Sequence, residues 1–255
     1  MDVALDFGLT GRTAVVTGGS RGIGRAIALG FADAGANVVP LARSESSLEA
    51  VVDAVRERGV ESPLETVDVT DGDAVADCFD RIADDLGVDV VVNNAGINPE
   101  AALGPPASVS DDGTREVLAV NLEGAFACAR AAGPALRESG GAMVNVASVG
   151  GLVGLPRQHP YVASKHGLVG LTRSPALDWA PDVRVNCLAP GYVATDLTEE
   201  LRADDDLRRS VLERTPLDRF ADPGEVAGPA VFLASDLASY ATGATLAVDG
   251  GWTAR

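Results

Sequence analysis

Positive charge is scarce in this chain, and lysine is almost absent. The sequence has 20 lysine and arginine residues against 37 aspartate and glutamate residues, a formal net charge of −17. Only one of the basic residues, Lys165, is a lysine. Such an acidic surface repels nucleic acid phosphates and anionic membranes. We therefore expect neither a nucleic acid partner nor a membrane partner.

Cysteine and long apolar runs are also scarce. Cys78, Cys128 and Cys187 are odd in number, widely spaced and without a Cys-x-x-Cys pair, so neither a disulfide framework nor a zinc site is indicated. We expect buried or partly buried thiols and no metal. No apolar stretch approaches 18 residues, and residues 1–7 have no basic region before an apolar run. These absences predict a soluble, cytoplasmic protein.

Aromatic residues make up only 4% of the chain, although hydrophobic residues make up 46%. That balance favours aliphatic, sheet-rich packing, and the length suits one α/β domain over residues 1–255. An acidic excess with so little lysine resembles the composition of proteins from salt-loving archaea, where high ionic strength screens self-repulsion. We therefore expect a halophilic protein.

The one lysine lies four residues after Tyr161, and a helix would place both side chains on one face. A tyrosine hydroxyl ordinarily titrates near 10, about three units too high for a general base at neutral pH. An adjacent ammonium favours the phenolate by charge attraction. The alternative is a surface tyrosine near a leftover lysine, because Tyr-x-x-x-Lys alone is a weak motif.

A glycine-rich turn follows the first predicted strand, Thr13 to Val16, and precedes a helical apolar pattern. Glycines let the backbone approach a pyrophosphate, whose charge the N–H groups and dipole of the new helix stabilise. A structural turn is the alternative, but the position after the first strand favours dinucleotide binding. The candidate binding residues are Gly18, Ser20, Arg21, Gly22, Ile23 and Gly24.

The end of the second predicted strand, Asn37 to Leu41, indicates which dinucleotide binds. An acidic residue about 20 positions after the glycine turn would bind the ribose 2′-hydroxyl of NAD, but Ala42 and Arg43 stand there instead. Arg43 could pair with a 2′-phosphate, and Arg21 supplies a second cation on the same side. The sequence thus favours NADP(H) over NAD(H). The alternative is that Arg43 caps a solvated loop.

Strands and helices alternate along the whole chain, a pattern typical of a parallel sheet with helices on both faces. The predicted strands span residues 13–16, 37–41, 64–68, 88–92, 142–147, 183–188 and 245–248. The further predicted helices span residues 45–58, 71–86, 111–136 and 223–234, with another beginning near Tyr161. The sequence shows no interdomain linker.

Several polar residues lie at the carboxyl ends of the predicted strands, where such sheets bind ligands. Asp68-Val69 and Asn93 to Gly96 end two strands, and Ser148 follows a third. Asp68 could accept from an adenine amine or cap the next helix. The charged segment from Val193 to Arg214 lies beside this edge, so it is a candidate mobile lid.

The predicted helices contain residues that helices disfavour. Asn121 lies inside the helix predicted over residues 111–136, where either a functional role or a kinked, solvated helix would explain it. Gly133-Pro134 is expected to bend or break that helix near its end. Pro175 is expected to kink the following helix.

Together these motifs resemble the short-chain dehydrogenase/reductase family over nearly the whole chain. The motifs are Thr17 to Gly24, Asn93 to Gly96, Asn121, Ser148, Tyr161, Lys165 and Pro190-Gly191. The resemblance implies an α/β fold with one Rossmann-type, doubly wound parallel sheet of about seven strands. It also implies an NAD(P)-dependent oxidoreductase that transfers a hydride between nicotinamide and a ketone or secondary alcohol.

The same resemblance assigns roles to individual residues. Tyr161 is the implied general acid/base, while Lys165 lowers its pKa and binds the nicotinamide ribose. Ser148 holds the substrate oxygen, and Asn121 anchors a proton-relay water. The nicotinamide end is expected to contact Pro190, Gly191, Val193 and Thr195. The adenine-side ribose and sheet edge are expected to involve Asn94, Ala95 and Gly96. Neither His159 nor His166 is expected to be catalytic.

The family also suggests a homotetramer built through helices 111–136 and 161–180 and the last strand. An inactive dinucleotide sensor is the contrasting class, but such proteins usually lose the serine, tyrosine or lysine that this chain keeps. The segment 198–216 and the ending 248–255 look like those of 2-keto-3-deoxygluconate dehydrogenases and related sugar-acid enzymes. Arg157 could pair with the carboxylate of such a substrate. The alternatives are a solvated Arg157 and an NADPH-dependent 3-oxoacyl thioester reductase.

Overall fold

Seven strands form one parallel sheet in the computed structural model, which describes residues 7–254. The strands are β1 (Thr13–Thr17), β2 (Asn37–Ala42), β3 (Glu65–Thr66), β4 (Val90–Asn93), β5 (Ala142–Val146), β6 (Arg184–Pro190) and β7 (Thr245–Val248). Their spatial order is β3-β2-β1-β4-β5-β6-β7, and every neighbouring pair is parallel. The chain reverses its direction of travel across the sheet between β3 and β4. This is the doubly wound arrangement, which binds ligands at the carboxyl ends of the central strands.

Helices cover both faces of the sheet. They are α1 (Gly22–Asp33), α2 (Glu45–Arg56), α3 (Gly72–Leu86), α4 (Asp111–Leu118), α5 (Gly124–Ser139), α6 (His159–Asp178), α7 (Glu199–Ala203), α8 (Asp205–Leu212) and α9 (Gly224–Ala234). Ala14 and Val16 of β1 pack in one core cluster with α1 and α9. Val15 packs in the other, with α3 and α5. Because successive side chains of a strand point to opposite faces, a strand buried on both sides reads as a continuous apolar run.

The structure confirms the predicted fold class, and it differs from the prediction at several element boundaries. The strand predicted over residues 64–68 is only Glu65–Thr66, because it pairs with just Leu41 and Ala42 of β2. The second predicted helix stops at Arg56 instead of residue 58. The last strand, Thr245–Val248, lies where the sequence predicts it.

The helix predicted over residues 111–136 is three elements. A π-helical turn, Ala119–Glu123, separates α4 from α5, and α5 continues through Pro134 to Ser139. The prediction that Gly133-Pro134 breaks the helix is therefore wrong. Helix α6 also passes through a proline, Pro175, without ending. The segment from Val193 to Arg214 contains a 3-10 turn, α7 and α8, and its mobility stays a prediction.

All three cysteines are buried as free thiols, as the sequence predicts. Among residues 7–254, no helix is both long and apolar enough to cross a membrane. The same residues contain no group of three or more histidine, cysteine or acidic side chains placed to hold a metal. The N-terminal residues used to predict the absence of an export signal, Met1 to Asp6, lie outside the described part of the chain, as does Arg255. The single domain over residues 1–255 therefore stays a prediction.

Candidate active site

The glycine turn between β1 and α1 forms a tight cradle. Gly18 and Gly22 have φ values of 64° and 52°, in the left-handed region that favours glycine. A Cβ atom on Gly24 would lie 2.1 Å from the carbonyl oxygen of Gly18, so no larger residue fits there. No side chain caps the N-terminus of α1 at Arg21. The free N–H groups and the close backbone fit the pyrophosphate of a dinucleotide.

The loop after β4 holds this cradle in place. The side chain of Asn94 donates to the carbonyl oxygens of Thr17 and Gly18, at 2.9 and 3.3 Å. The Thr17 hydroxyl accepts from the backbone N–H groups of Asn94 and Ala95, at 3.0 and 3.1 Å. The amide nitrogen of Asn94 thus holds the glycine turn, and its expected contact with the ribose stays a prediction.

The residues expected around the adenine lie at the ends of β2 and β3. Arg43 is exposed at the end of β2, and its positive charge contributes to lowering the pKa of Asp68. The main cause of that lowering is the hydrogen bond that the Thr70 backbone N–H donates to Asp68. Helix α3 is capped by Asp71, whose carboxylate accepts from the N–H groups of Asp73 and Ala74. Asp68 is therefore not the helix cap.

Arg21 does not turn toward Arg43. Its guanidinium forms an exposed ion pair with Asp196 across the cleft, with an N–O distance of 3.4 Å. Beside this pair, a Cβ atom on Gly22 would lie 3.3 Å from the methyl group of Thr195. The expectation that both arginines bind the same phosphate stays a prediction. An exposed pair of this length contributes about 0–1 kcal/mol, so an arriving phosphate can displace it.

Ser148, Tyr161 and Lys165 meet where β5 ends and α6 begins. The hydroxyls of Ser148 and Tyr161 are hydrogen-bonded to each other, and the Ser148 oxygen accepts from the Gly150 backbone N–H at 3.1 Å. The Nζ atom of Lys165 lies 5.6 Å from the centroid of the Tyr161 ring and donates to the Val146 carbonyl at 2.8 Å. Lys165 is only 4% exposed. The structure therefore brings together the three residues singled out in the sequence.

Burial dominates the electrostatics of this cluster. It raises the pKa of Tyr161, and the hydrogen bond with Ser148 acts in the opposite direction. It also lowers the pKa of Lys165 to about 8, because the buried ammonium loses its hydration. The Lys165 ammonium lies 5.6 Å from the centroid of the Tyr161 ring, and its expected lowering of the Tyr161 pKa stays a prediction.

Asn121 lies in the π-helical turn and is fully buried. Its carbonyl oxygen accepts from the Ile97 backbone N–H at 2.8 Å, and its amide donates to the Ile97 carbonyl at 2.9 Å. The same amide donates to the Ser164 hydroxyl at 3.2 Å. A Cβ atom on Gly96 would lie 3.4 Å from the Lys165 ammonium. Gly96 thus lies beside Lys165, and its expected contact with the cofactor stays a prediction.

The chain after β6 closes the other side of the cleft. A Cβ atom on Gly191 would lie 2.8 Å from the Cα atom of Asp249, so the turn after Pro190 needs glycine. Val193 is buried and forms an isolated parallel bridge with Ala221. Thr195 faces the glycine turn at Gly22. Three of the residues expected at the nicotinamide end thus share one wall of the cleft.

Arg157 lies outside this cluster. It is exposed, its backbone has a φ of 63°, and its carbonyl oxygen accepts from the Gly104 N–H at 2.9 Å. No described carboxylate is within ion-pairing distance of its guanidinium. His159 and His166 are also exposed and line an open groove of about 600 Å³ together with Leu155 and Val162.

Two groups of side chains near Tyr161, one polar and one aromatic, were not singled out in the sequence. The Asn98 amide donates to the Gln158 side chain at 3.0 Å, and its buried carbonyl oxygen has no partner among the described residues. On the opposite side, Tyr192 packs on Phe220 and Trp252. The signal for the second grouping was the placement of two of the few aromatic residues directly after Pro-Gly and Gly-Gly turns.

A glycine cradle for a dinucleotide, next to a serine, tyrosine and lysine cluster, defines a nicotinamide-dependent oxidoreductase. A sequence model described as Enoyl-(Acyl carrier protein) reductase matches residues 18–253. The chain belongs to the short-chain dehydrogenase/reductase family, and its relatives named as dehydrogenases support an enzyme over the inactive-sensor alternative.

Three curated relatives span nearly all of the chain. Galactitol 2-dehydrogenase (L-tagatose-forming) of Cereibacter sphaeroides is 42% identical, covering 99% of each chain. The 3-oxoacyl-(acyl-carrier-protein) reductase FabG of Staphylococcus epidermidis is 41% identical, covering 94% of this chain and 98% of the relative. The 2-dehydro-3-deoxy-D-gluconate 5-dehydrogenase of Escherichia coli is 38% identical, covering 98% of each.

Solved structures of the family have the same fold and contain NADP. A candidate NAD(P)-dependent gluconate 5-dehydrogenase of Beutenbergia cavernae, with NADP at low occupancy, is 45% identical with a TM-score of 0.93. It covers 98% of this chain and 100% of its own. A candidate 2-deoxy-D-gluconate 3-dehydrogenase of Agrobacterium tumefaciens with bound NADP is 40% identical with a TM-score of 0.90, covering 98% and 99%.

Proposed function

We propose that this enzyme interconverts a ketone and a secondary alcohol on a small sugar acid, with NADP(H) as the cofactor. The observation that carries the proposal is the convergence of Ser148, Tyr161 and Lys165 beside the glycine cradle. The bound nicotinamide would supply or accept the hydride. The pyrophosphate would lie against Gly18, Ser20, Gly22, Ile23 and Gly24. The loop after β4 and the chain after β6, which line the cleft, would make the remaining contacts with the cofactor.

The side chains of this cluster supply the proton and hold the reacting oxygen. Tyr161 is protonated at neutral pH because the ordinary tyrosine pKa is near 10 and burial raises it further, so it can donate a proton to the oxygen of a ketone. When the substrate oxygen takes the place of the hydrogen bond between Ser148 and Tyr161, the Ser148 hydroxyl would donate a second hydrogen bond to that oxygen. Two donors converging there stabilise the charge that develops in the transition state. Lys165 lies behind the phenol, where its positive charge assists the reverse step.

The sugar-acid assignment rests on the names of the relatives and on one cation, Arg157, without an ion-pair partner among the described residues. One of the three curated relatives is named for a sugar acid and another for the neutral polyol galactitol, and both solved structures are named for gluconates. Arg157 has no described carboxylate partner near the segment that leads into Tyr161, which suits a carboxylate ligand.

A second candidate is the reduction of a 3-oxoacyl thioester. The FabG relative is 41% identical, and the open groove next to Tyr161 contains Leu155, Pro156 and Val162, which suit an acyl chain. The test compares kcat/KM for 2-keto-3-deoxygluconate, D-gluconate and galactitol with that for acetoacetyl-CoA. We expect the highest value for a sugar acid. Efficient acetoacetyl-CoA reduction without any sugar-acid turnover would transfer the assignment to the acyl reductases.

The preference for NADP(H) over NAD(H) rests on Arg43. It is exposed at the end of β2, where Ala42 provides no carboxylate to hold a ribose 2′-hydroxyl. Replacing Arg43 by alanine should raise KM for NADPH about 10-fold or more, as loss of about 1.5–3 kcal/mol from a charged hydrogen bond requires. KM for NADH should not change. Equal use of both cofactors by wild type and variant would refute the preference.

We also propose that the protein is a homotetramer and works in a salt-rich cytoplasm. Several large apolar side chains remain exposed on the elements expected at the subunit contacts. They are Phe126 of α5, Leu177 of α6 and Leu246 of β7. Contacts between subunits would bury them. Light scattering in molar KCl should give four times the mass of one chain; a monomer would contradict this assembly.

A further inference from the structure

An arginine, Arg214, lies over one of the aromatic rings beside the active site. Its guanidinium carbon is 4.2 Å from the centroid of the Trp252 ring. The Trp252 ring is in turn 4.8 Å from that of Tyr192, and Tyr192 meets Phe220 edge to face at 6.2 Å. A guanidinium stacked in this way keeps its planar edge free for hydrogen bonds.

This aromatic wall faces the catalytic residues. Trp252 belongs to a core cluster with Val149 and Leu155, the first of which directly follows Ser148. Val162, the neighbour of Tyr161, and Tyr192 pack against the same cluster. The charge of Arg214 lowers the pKa of Tyr192, against the raising effect of burial, and Tyr192 in turn influences Tyr161. Arg214 is therefore within electrostatic reach of the site, with the rings of Trp252 and Tyr192 between it and Tyr161.

Arg214 differs from the neighbouring arginines in its partners. Arg208, Arg209 and Arg219 are each paired with a carboxylate: Asp205, Asp206 and Glu225. Arg202 donates to the Thr195 carbonyl at 3.2 Å. The guanidinium of Arg214 makes neither an ion pair nor a hydrogen bond with any residue of the described range 7–254. In a chain with a net charge of −17, an arginine at this position is left with free donors.

We infer that Arg214, held by Trp252, binds the carboxylate of the substrate and selects sugar acids over neutral polyols. An anionic substrate approaching so acidic a protein is repelled, and a fixed cation at the aromatic wall offsets this repulsion. The planar edge of a guanidinium matches a carboxylate with two parallel hydrogen bonds. The stacking on Trp252 fixes the orientation of the fork before the substrate arrives. This inference rests on the proposed function, because it names the specificity residue of the same site.

The test compares D-gluconate with D-glucitol, which has a hydroxymethyl group in place of the carboxylate. Binding is followed by the fluorescence of Trp252 with NADP present, in a Trp179→Phe background that leaves Trp252 as the only tryptophan. We expect Arg214→Ala to weaken D-gluconate binding about 10- to 100-fold, as loss of a charged hydrogen bond does, and to leave D-glucitol binding unchanged. The same selectivity should appear in kcat/KM for whichever sugar acid the wild type oxidises or reduces.

Two further variants separate the possible outcomes. Arg208→Ala removes an arginine of α8 that is paired with Asp205, and should change neither ligand's binding. Arg157→Ala tests the other candidate arginine. If only Arg157→Ala reduced the preference for D-gluconate, or if Arg214→Ala weakened both ligands equally, the inference would be wrong. The proposed function has its own criterion: it fails if wild type reduces acetoacetyl-CoA but no sugar acid, whatever the binding titrations show.

Discussion

Lys165 is a buried cation whose chemical role works against the stability of the fold. Its side chain is 4% exposed, and burial lowers its pKa to about 8 from the ordinary value of 10.5. The unfolded chain therefore holds a proton on this lysine between pH 8 and 10.5 where the folded chain does not. The free energy of unfolding therefore rises with pH between 8 and 10.5, and the full destabilising effect of the buried ammonium is present below pH 8. The difference between the pKa of Lys165 in the folded and the unfolded chain corresponds to about 3 kcal/mol of stability.

We predict that Lys165→Met stabilises the protein while abolishing turnover. Loss of the buried charge should add about 3 kcal/mol at pH 7, and loss of the hydrogen bond to Val146 should subtract about 1 kcal/mol, for a net gain of about 2 kcal/mol. Urea denaturation of both proteins at pH 7 measures it. The gain should shrink toward pH 10, which serves as an internal control. A variant less stable than wild type at pH 7 would show that the ammonium does not destabilise the fold.

The candidate catalytic residues could be identified in the sequence, whereas their electrostatic balance could not. Ser148, Tyr161 and Lys165 are identifiable because the reaction needs those functional groups in that order. The dominance of burial over charge attraction depends on how deeply the fold encloses them. Arg214 could not be identified from the sequence either, because its contact with Trp252 joins residues that are distant in the sequence and belong to no local pattern.

At the scale of elements, the π-helical turn Ala119–Glu123 is the main departure from the expected pattern. It places a fully buried Asn121 against the backbone of Ile97, next to the loop that carries Gly96 beside Lys165. π-helical turns occur often at functional sites. Sequence reasoning noted that asparagine needs a reason inside a helix, but the reason is a tertiary contact with residue 97, which helical periodicity does not show.

We predict that Asn121→Ala lowers the free energy of unfolding by about 3 kcal/mol. The change leaves the N–H and carbonyl groups of Ile97 without their buried partner, and each unsatisfied group costs about 1–3 kcal/mol. Glu123→Ala, at an exposed position of the same turn, is the matched control and should change stability by less than about 0.5 kcal/mol. Urea midpoints measure both variants. Equal midpoints would mean that Asn121 does not hold the loop.

At the scale of the whole molecule, alternating strands and helices were enough to predict the fold class and the number of strands. The order of the strands was not predicted, because it depends on which side each crossover turns. The acidic surface is also a property of the whole molecule. A net charge of −17 in one chain implies self-repulsion that only dissolved salt can screen.

We predict that the unfolding temperature rises as KCl increases from 0.01 M to 1 M. The Debye length shortens from about 30 Å to about 3 Å over this range, so repulsion among acidic side chains is largely removed. Differential scanning calorimetry at fixed pH measures the trend, and sucrose at equal osmolality controls for effects unrelated to charge. A flat or falling curve would contradict a salt-adapted surface.

The most direct test of the account is the steady-state kcat/KM of Tyr161→Phe with NADP(H) and a sugar acid in molar KCl. This change removes one phenol oxygen and keeps the ring, so cofactor binding should be unchanged. Loss of a general acid should lower kcat/KM by about 10²- to 10⁴-fold. Tyr240→Phe removes the same atom from a fully exposed tyrosine and should retain wild-type activity. Wild-type kcat/KM in Tyr161→Phe would contradict the central claim that this tyrosine transfers the proton.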